Sequence, residues 1–165
     1  MIITKLNLTN FRNYRRLTLD LDSNMNIFIG NNAVGKTNIL ESIGILALTK
    51  SHRNGKEADL VNFGKKKAKI KGIIKDQEIY RELIVEITEV GKNIKMNGKV
   101  IGRLADYISN LNVILFTPDD LEIIKGSPSI RRNLLNIELS QLSFQYLVTY
   151  NEYNKILKTR NEYLK

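Results

Sequence analysis

Eight consecutive residues, Gly30-Asn31-Asn32-Ala33-Val34-Gly35-Lys36-Thr37, set the tightest limit on what this chain can fold into. They fit the pattern G-x-x-x-x-G-K-[ST] at every position. The apolar run Met25-Asn26-Ile27-Phe28-Ile29 stands before them and Asn38-Ile39-Leu40-Glu41-Ser42-Ile43 after them, so the stretch reads as strand, loop and helix. Glycines let the backbone curl until successive N–H groups converge on phosphate oxygens. The N-terminus of the helix that follows adds unpaired donors and a partial positive charge aimed at the same anion. In such a loop Lys36 is the catalytic cation, reaching the β- and γ-phosphates, and the Thr37 hydroxyl is the metal ligand, sitting on Mg²⁺. The expected ligands are therefore a nucleoside triphosphate and Mg²⁺, contacted by every residue from Gly30 to Thr37.

The rest of the composition narrows the setting. A chain of 165 residues holds one sizeable core, or one domain and the start of another. It has no cysteine and a single histidine, His52, which excludes a disulfide framework and any zinc site built on thiolates or on two histidines. No apolar run approaches the roughly twenty residues of a membrane span, and the N-terminus reads as a strand rather than a signal peptide, so the expected location is cytoplasmic. Lysine and arginine outnumber aspartate and glutamate by 26 to 17, a formal charge of +9 that points to an anionic partner larger than a nucleotide.

Along the chain, residues 2–9 alternate loosely, and residues 15–21 alternate cleanly with Leu17, Leu19 and Leu21 on one face, giving two strands. The third strand is residues 25–29, running into the loop. The helix after Thr37 is expected to last to about Thr49, burying Ile39, Leu40, Ile43, Leu46 and Ala47. Residues 56–63 read as one more short helix stopped by Gly64. An antiparallel meander follows: residues 65–75, residues 79–88, then residues 94–96 and 99–101 joined by Asn97-Gly98, a strong type I′ hairpin signal. Residues 102–110 look helical and residues 111–116 look like a buried strand. Thr117-Pro118-Asp119-Asp120-Leu121-Glu122 is a helix start, and residues 129–165 are helical with a break near residues 142–144.

Two features compete for a second role. On residues 67–71, Lys67, Lys69 and Lys71 alternate with small or apolar residues, so a strand places three ammonium groups on one face. With Lys65 and Lys66 they form a stripe suited to tracking a DNA backbone; Glu82 and Glu86 on the partner strand can pair with only part of it. Hydrolysis by a phosphate-loop protein also needs a carboxylate at the end of an apolar strand to hold Mg²⁺. The nearest acids to such a strand are Asp119 and Asp120, which the helix start explains better, so no convincing strand of that kind is present. Tyr146, Tyr150, Tyr153, Leu157 and Leu164 make an apolar seam that reads as helix packing rather than a base-stacking platform.

Several segments occur together and in order: Asn10-Phe11-Arg12-Asn13-Tyr14, the loop with Lys36-Thr37-Asn38, Ser51-His52-Arg53, Phe116-Thr117-Pro118-Asp119-Asp120-Leu121, Lys125-Gly126-Ser127-Pro128-Ser129-Ile130-Arg131-Arg132 and Arg160-Asn161-Glu162-Tyr163-Leu164-Lys165. Through them the whole chain resembles the RecF family of DNA replication and repair proteins, relatives of the SMC proteins. The resemblance implies an α/β fold: a P-loop NTPase of the ABC-type ATPase head kind, with the antiparallel β-meander and a C-terminal helical extension. Residues 1–125 would be its first lobe and residues 126–165 the start of a helical second lobe. It implies binding of ATP and Mg²⁺, with Asn38 and Arg12 added to the nucleotide-contacting set, and ATP-dependent homodimerisation in full-length members. It also implies action on DNA at single-strand gaps, with RecO and RecR, to promote RecA loading. Full members are about twice as long, and the signature and Walker-B motifs lie in the half not matched here, so this chain is expected to bind nucleotide with little turnover. The alternatives are a DNA- or partner-binding module in which nucleotide is incidental, or another SMC-like repair ATPase head.

Overall fold

A long first strand, β1 (Ile2–Phe11), is the spine of the molecule. It pairs antiparallel with β2 (Tyr14–Asp20) on one side and with β3 (Lys67–Asp76) on the other. The meander continues from β3 into β4 (Ile79–Thr88), β5 (Gly91–Met96) and β6 (Lys99–Val100). All six strands belong to one sheet in the order β2-β1-β3-β4-β5-β6. The meander is thus an extension of the N-terminal hairpin, in one continuous ladder. These features come from a computed structural model that describes residues 1–53 and 55–164, with the side chains of Asp119 and Glu122 outside the described set. The chain divides into two compact units, Met1–Gly102 and Arg103–Lys165.

In the first unit one sheet face is apolar. Leu6, Leu8, Ile70, Ile74, Leu83, Val85 and Ile87 are all buried, because alternation on neighbouring strands brings Leu8 opposite Ile70 and Ile70 opposite Val85. Helix α1 (Lys36–Leu48) lies on that face. Gly72 makes the close approach possible, since a Cβ there would stand 2.3 Å from Cδ2 of Leu46. The buried side of α1 is Ile39, Glu41, Ser42, Gly44, Ile45, Leu46 and Ala47. The helix is therefore rotated from the expected stripe, with Leu40 41% exposed and an acid taken inside.

Two expected strands do not form. Residues 25–29 join no ladder, and Met25, Ile27 and Ile29 are 73%, 73% and 91% exposed. β1 is already bonded on both sides, and this run pairs with neither of the sheet's free edges, β2 or β6. Residues 111–116 are likewise outside any ladder. There a side chain replaces a strand partner: the Gln141 amide accepts from the Val113 N–H at 2.8 Å and donates to the Val113 carbonyl at 3.1 Å. The helix expected over residues 56–63 is a single 3-10 turn, Glu57–Leu60, after which Val61 bridges to Phe11.

The second unit is helical: α2 (Leu104–Tyr107), a 3-10 turn at Pro118–Leu121, α3 (Glu122–Lys125), α4 (Pro128–Leu142) and α5 (Phe144–Tyr163). Pro128 starts α4 at a position where its missing N–H costs nothing. Ser143 breaks the helix, and its hydroxyl caps α5 by accepting from the Tyr146 N–H at 3.2 Å. The Tyr146 and Tyr150 rings stack with centroids 6.0 Å apart. Asn136 of α4 joins them, accepting from the Tyr146 hydroxyl at 2.6 Å and donating to that of Tyr150 at 3.1 Å. The seam is a packing device here, although Tyr153 and Leu164 at its far end are exposed.

Gly72→Ala is expected to destabilise the first unit by about 1–3 kcal/mol, because the new methyl must displace the fully buried Leu46 side chain. Urea unfolding of the single variant and of Gly72→Ala combined with Leu46→Ala measures this. The two costs should be strongly non-additive, since removing Leu46 makes the room that the methyl needs.

Candidate nucleotide site

The phosphate loop is shaped by backbone positions that few side chains tolerate. Ala33 and Gly35 lie at φ 66° and 110°, so the chain reverses before α1 begins. Gly35 is also crowded: a Cβ would fall 2.7 Å from Nδ2 of Asn13 and 2.8 Å from the Tyr14 hydroxyl. The turn between β1 and β2 therefore clamps the loop from outside. Asn13 fixes the contact by donating to the Val34 carbonyl at 2.9 Å, and it accepts from the Asn38 amide at 2.9 Å. No described side chain caps α1, and its first turn carries no acid, so its leading N–H groups remain available to an anion. The Lys36 ammonium lies back across the loop, donating to the carbonyls of Gly30 at 2.6 Å and Asn31 at 2.7 Å. Thr37 is exposed at the second position of α1.

Behind the loop lies a charged cluster that sequence reasoning missed. Glu41, one turn into α1, has no solvent exposure. Arg12 grips it with two bonds, Nε to Oε2 at 3.0 Å and Nη2 to Oε1 at 2.6 Å. Ser51 donates to Oε1 at 2.6 Å, and Nη1 of Arg53 stands 3.5 Å from Oε2. Burial pushes the Glu41 carboxyl up, but the bonds from Arg12 and Ser51 and the charges of Arg12 and Arg53 more than reverse this. The carboxyl's pKa ends below the usual carboxylate range.

Arg53 also donates to Oδ1 of Asn38 at 3.0 Å. One chain of polar contacts thus runs from the Val34 carbonyl through Asn13, Asn38 and Arg53 to Glu41 and Arg12. Arg12 is itself over-determined. At φ 51° it occupies the left-handed region, held by its N–H on the Leu60 carbonyl, the Asn62 amide on its own carbonyl, and its guanidinium on the Asp59 carbonyl. Such a backbone costs on the order of 1–3 kcal/mol and persists where surrounding contacts fix it.

The sequence-selected residues divide into groups. The phosphate loop, Asn38 and Arg12 come together in this network. A cleft of about 510 Å³ beside it is lined by Arg12, Asn13, Asn38, Asn62, Phe63 and Lys65 among others. Lys65 and Lys66 precede β3, whereas Lys69 and Lys71 lie on the polar face of the sheet, opposite the face that carries α1. Asp120 accepts from the N–H and hydroxyl of Thr117 at 2.5 and 2.9 Å, as a helix-start acid does. The Asp119 side chain lies outside the described residues, and His52 is exposed. A signal for Glu41 did exist in the sequence: an acid within an apolar helix, with Arg12 and Arg53 available to balance it.

The residues present fit a nucleotide with its metal. Glycine is sterically required at position 35, the donors of α1 are uncapped, and a lysine ammonium stands over the loop. The exposed Thr37 hydroxyl at the start of α1 is the group that would contact Mg²⁺ beside the phosphates.

Comparison with known proteins agrees with this geometry. Residues 1–165 match the family model described as AAA ATPase domain. The DNA replication and repair protein RecF of Streptococcus gordonii is 47% identical over 165 residues, covering 100% of this chain and 46% of that protein. A solved structure of the recombination mediator protein RecF with ATP, in the RecFOR pathway, superposes with a TM-score of 0.91 at 31% identity, over 99% of this chain and 46% of the other. The SMC head domain from Thermotoga maritima shares the fold alone, with a TM-score of 0.54 and 21% identity over 64% of this chain and 40% of the other. The chain spans less than half the length of the curated relatives it matches. An α/β P-loop ATPase head with an antiparallel sheet and C-terminal helices, this chain belongs to the AAA ATPase domain family and within it corresponds to the N-terminal portion of RecF proteins.

Proposed function

We propose that this chain binds ATP with Mg²⁺ through residues 30–37, with Asn38 and Arg12 completing the site, and that it serves as the nucleotide-holding part of a DNA-repair ATPase. The observation that carries this reading is the loop itself, with its glycine-only geometry and the Lys36 ammonium across its mouth. Bound Mg²⁺ would neutralise phosphate charge. Lys36 would exchange its carbonyl partners for phosphate oxygens, and the α1 N–H groups would bind the same anion. On this reading residues 1–125 form the first ATPase lobe and residues 126–165 open the helical second lobe. The whole protein would act in the cytoplasm as an ATP-dependent homodimer at single-strand gaps in DNA, with RecO and RecR, to promote RecA loading.

The polar sheet face is the proposed DNA contact, through Lys65, Lys66, Lys67, Lys69 and Lys71. Lys71 is paired with Glu82, and Glu86 is shared between Lys69 at 3.9 Å and Lys95 at 3.1 Å. Two carboxylates spread over three lysines leave positive charge in surplus, and Lys67 is exposed beside them. These pairs are half-exposed, and surface ion pairs contribute only about 0–1 kcal/mol, so a phosphate would compete with the glutamates for the lysines.

Titrating ATP with Mg²⁺ against the chain and against Lys36→Ala tests the nucleotide site. The variant should bind about 10- to 150-fold more weakly, the range expected for losing a charge-assisted bond to phosphate, and equal affinities would sink the reading. For DNA, Lys67, Lys69 and Lys71 changed together to Ala should weaken binding and flatten its logarithmic salt dependence by about 2–3, near one unit per lost phosphate contact. An unchanged slope would make the stripe a solvated sheet face. DNA binding that persists where nucleotide binding fails would favour a DNA-binding module.

A further inference from the structure

We propose that Glu41 is a positioning residue for phosphate binding, holding Arg12 and Arg53 beside the loop so that their one surplus positive charge stands ready for the anion. The inference rests on the nucleotide reading above and deepens it. One carboxylate faces two guanidiniums, and it lies on the same helix whose N-terminus closes the loop. Both of its oxygens are engaged, Oε1 by Arg12 and Ser51 and Oε2 by Arg12 and Arg53. Arg53 then reaches Asn38, and Asn38 reaches Asn13 on the Val34 carbonyl, so the carboxylate is tied to the loop backbone by side chains alone. A guanidinium has several donors in a fixed planar fork, and holding part of that fork aims the remainder. Fixing the arginines before the ligand arrives removes an ordering cost that binding would otherwise bear.

The sign of the effect separates this role from its rivals. Glu41 carries a negative charge near the site of an anion. If that charge acted only by repulsion, Glu41→Gln would strengthen ATP binding. If Glu41 served only the core, Glu41→Gln would lower the melting temperature and leave the affinity of the folded protein unchanged. A positioning role instead requires binding to weaken when the negative charge is removed.

Calorimetric titration of ATP with Mg²⁺ into the 165-residue chain decides among them, with thermal unfolding recorded for each variant without nucleotide. Glu41→Gln is expected to weaken binding about tenfold, Arg12→Ala by at least as much, and the double variant no more than about twofold beyond Arg12→Ala, since coupled residues are non-additive. Tighter or unchanged binding by Glu41→Gln, or fully additive losses, would overturn the proposal. Should Glu41→Gln fail to fold, Glu41→Asp keeps the charge but draws it back by one methylene. A loss of about threefold is then expected, and an unchanged affinity would overturn the proposal equally. The underlying reading has its own control: Lys36→Ala bound as tightly as the native chain defeats both, whereas loss in Lys36→Ala with none in the Glu41 variants defeats this inference alone.

Discussion

A single buried carboxylate organises the ground on which the phosphate loop stands. Glu41 has no solvent exposure, and four parts of the chain converge on it: α1 that carries it, the β1–β2 turn through Arg12, and the segment after α1 through Ser51 and Arg53. The fourth part joins through Arg12, whose N–H and guanidinium bond the carbonyls of Leu60 and Asp59 on the 3-10 turn. Taking such a group out of water costs several kcal/mol, which is recovered only when its lone pairs are filled and its charge is balanced. Here both conditions are met, and meeting them leaves little freedom to any of the four. A buried ion pair of this kind adds little net stability compared with apolar packing. Its effect is to make one arrangement far better than its neighbours, because losing either partner strands a charge in the interior.

The sheet provides what the cluster needs, a rigid base at a fixed distance. β1 bonds to β3 from Ile2 to Thr9 and to β2 from Lys5 to Phe11, and Phe11 also bridges to Val61, so the turn that follows is anchored on both sides. Gly72 lets α1 settle against β3, with Leu46 in the space a side chain would have taken. At the other end of α1, Lys92 of β5 donates to the Thr49 carbonyl at 2.7 Å and pairs with Glu57, tying helix, 3-10 turn and sheet together. The two faces of the sheet consequently differ in kind. One is apolar and fixes the helix that opens the nucleotide site, while the other carries Lys69 and Lys71 with their glutamate partners.

Much of this was legible in the sequence because local chemistry dictated it. Asn97-Gly98 takes positive φ at both residues, 49° and 77°, as a type I′ turn requires. Likewise Ser143 breaks the C-terminal helix, and Lys36 opens α1 directly after Gly35. What failed was inference about partners. Apolar alternation in residues 25–29 and 111–116 says that the backbone is extended, but not that another strand is present to bond it. The buried face of α1 was misjudged for a related reason. Hydrophobicity favours Leu40 and Ile43 over Glu41, and only knowledge that Arg12 and Arg53 converge on the same point reverses the order. Those three residues are far apart in sequence, and no periodicity within a helix contains that information.

The geometry of Lys36 follows from the same logic of preparation. Its ammonium has three donors and gives two of them to the neutral carbonyls of Gly30 and Asn31. Those bonds hold the side chain across the loop instead of free in solvent, so most of its rotamer entropy is lost before any ligand binds. A phosphate oxygen is a charged acceptor, so its bond to the ammonium adds an ion–ion attraction that a neutral carbonyl does not supply. On the nucleotide reading, exchanging carbonyl for phosphate would therefore be favourable for a side chain already held across the loop. The uncapped N–H groups of α1 would meet the same anion with no reorganisation of the helix. On the nucleotide reading, such placement of donors whose current partners are weaker than the intended one would give the loop both affinity and selectivity for phosphate, and Asn13, bonded to the Val34 carbonyl, holds the loop in that shape.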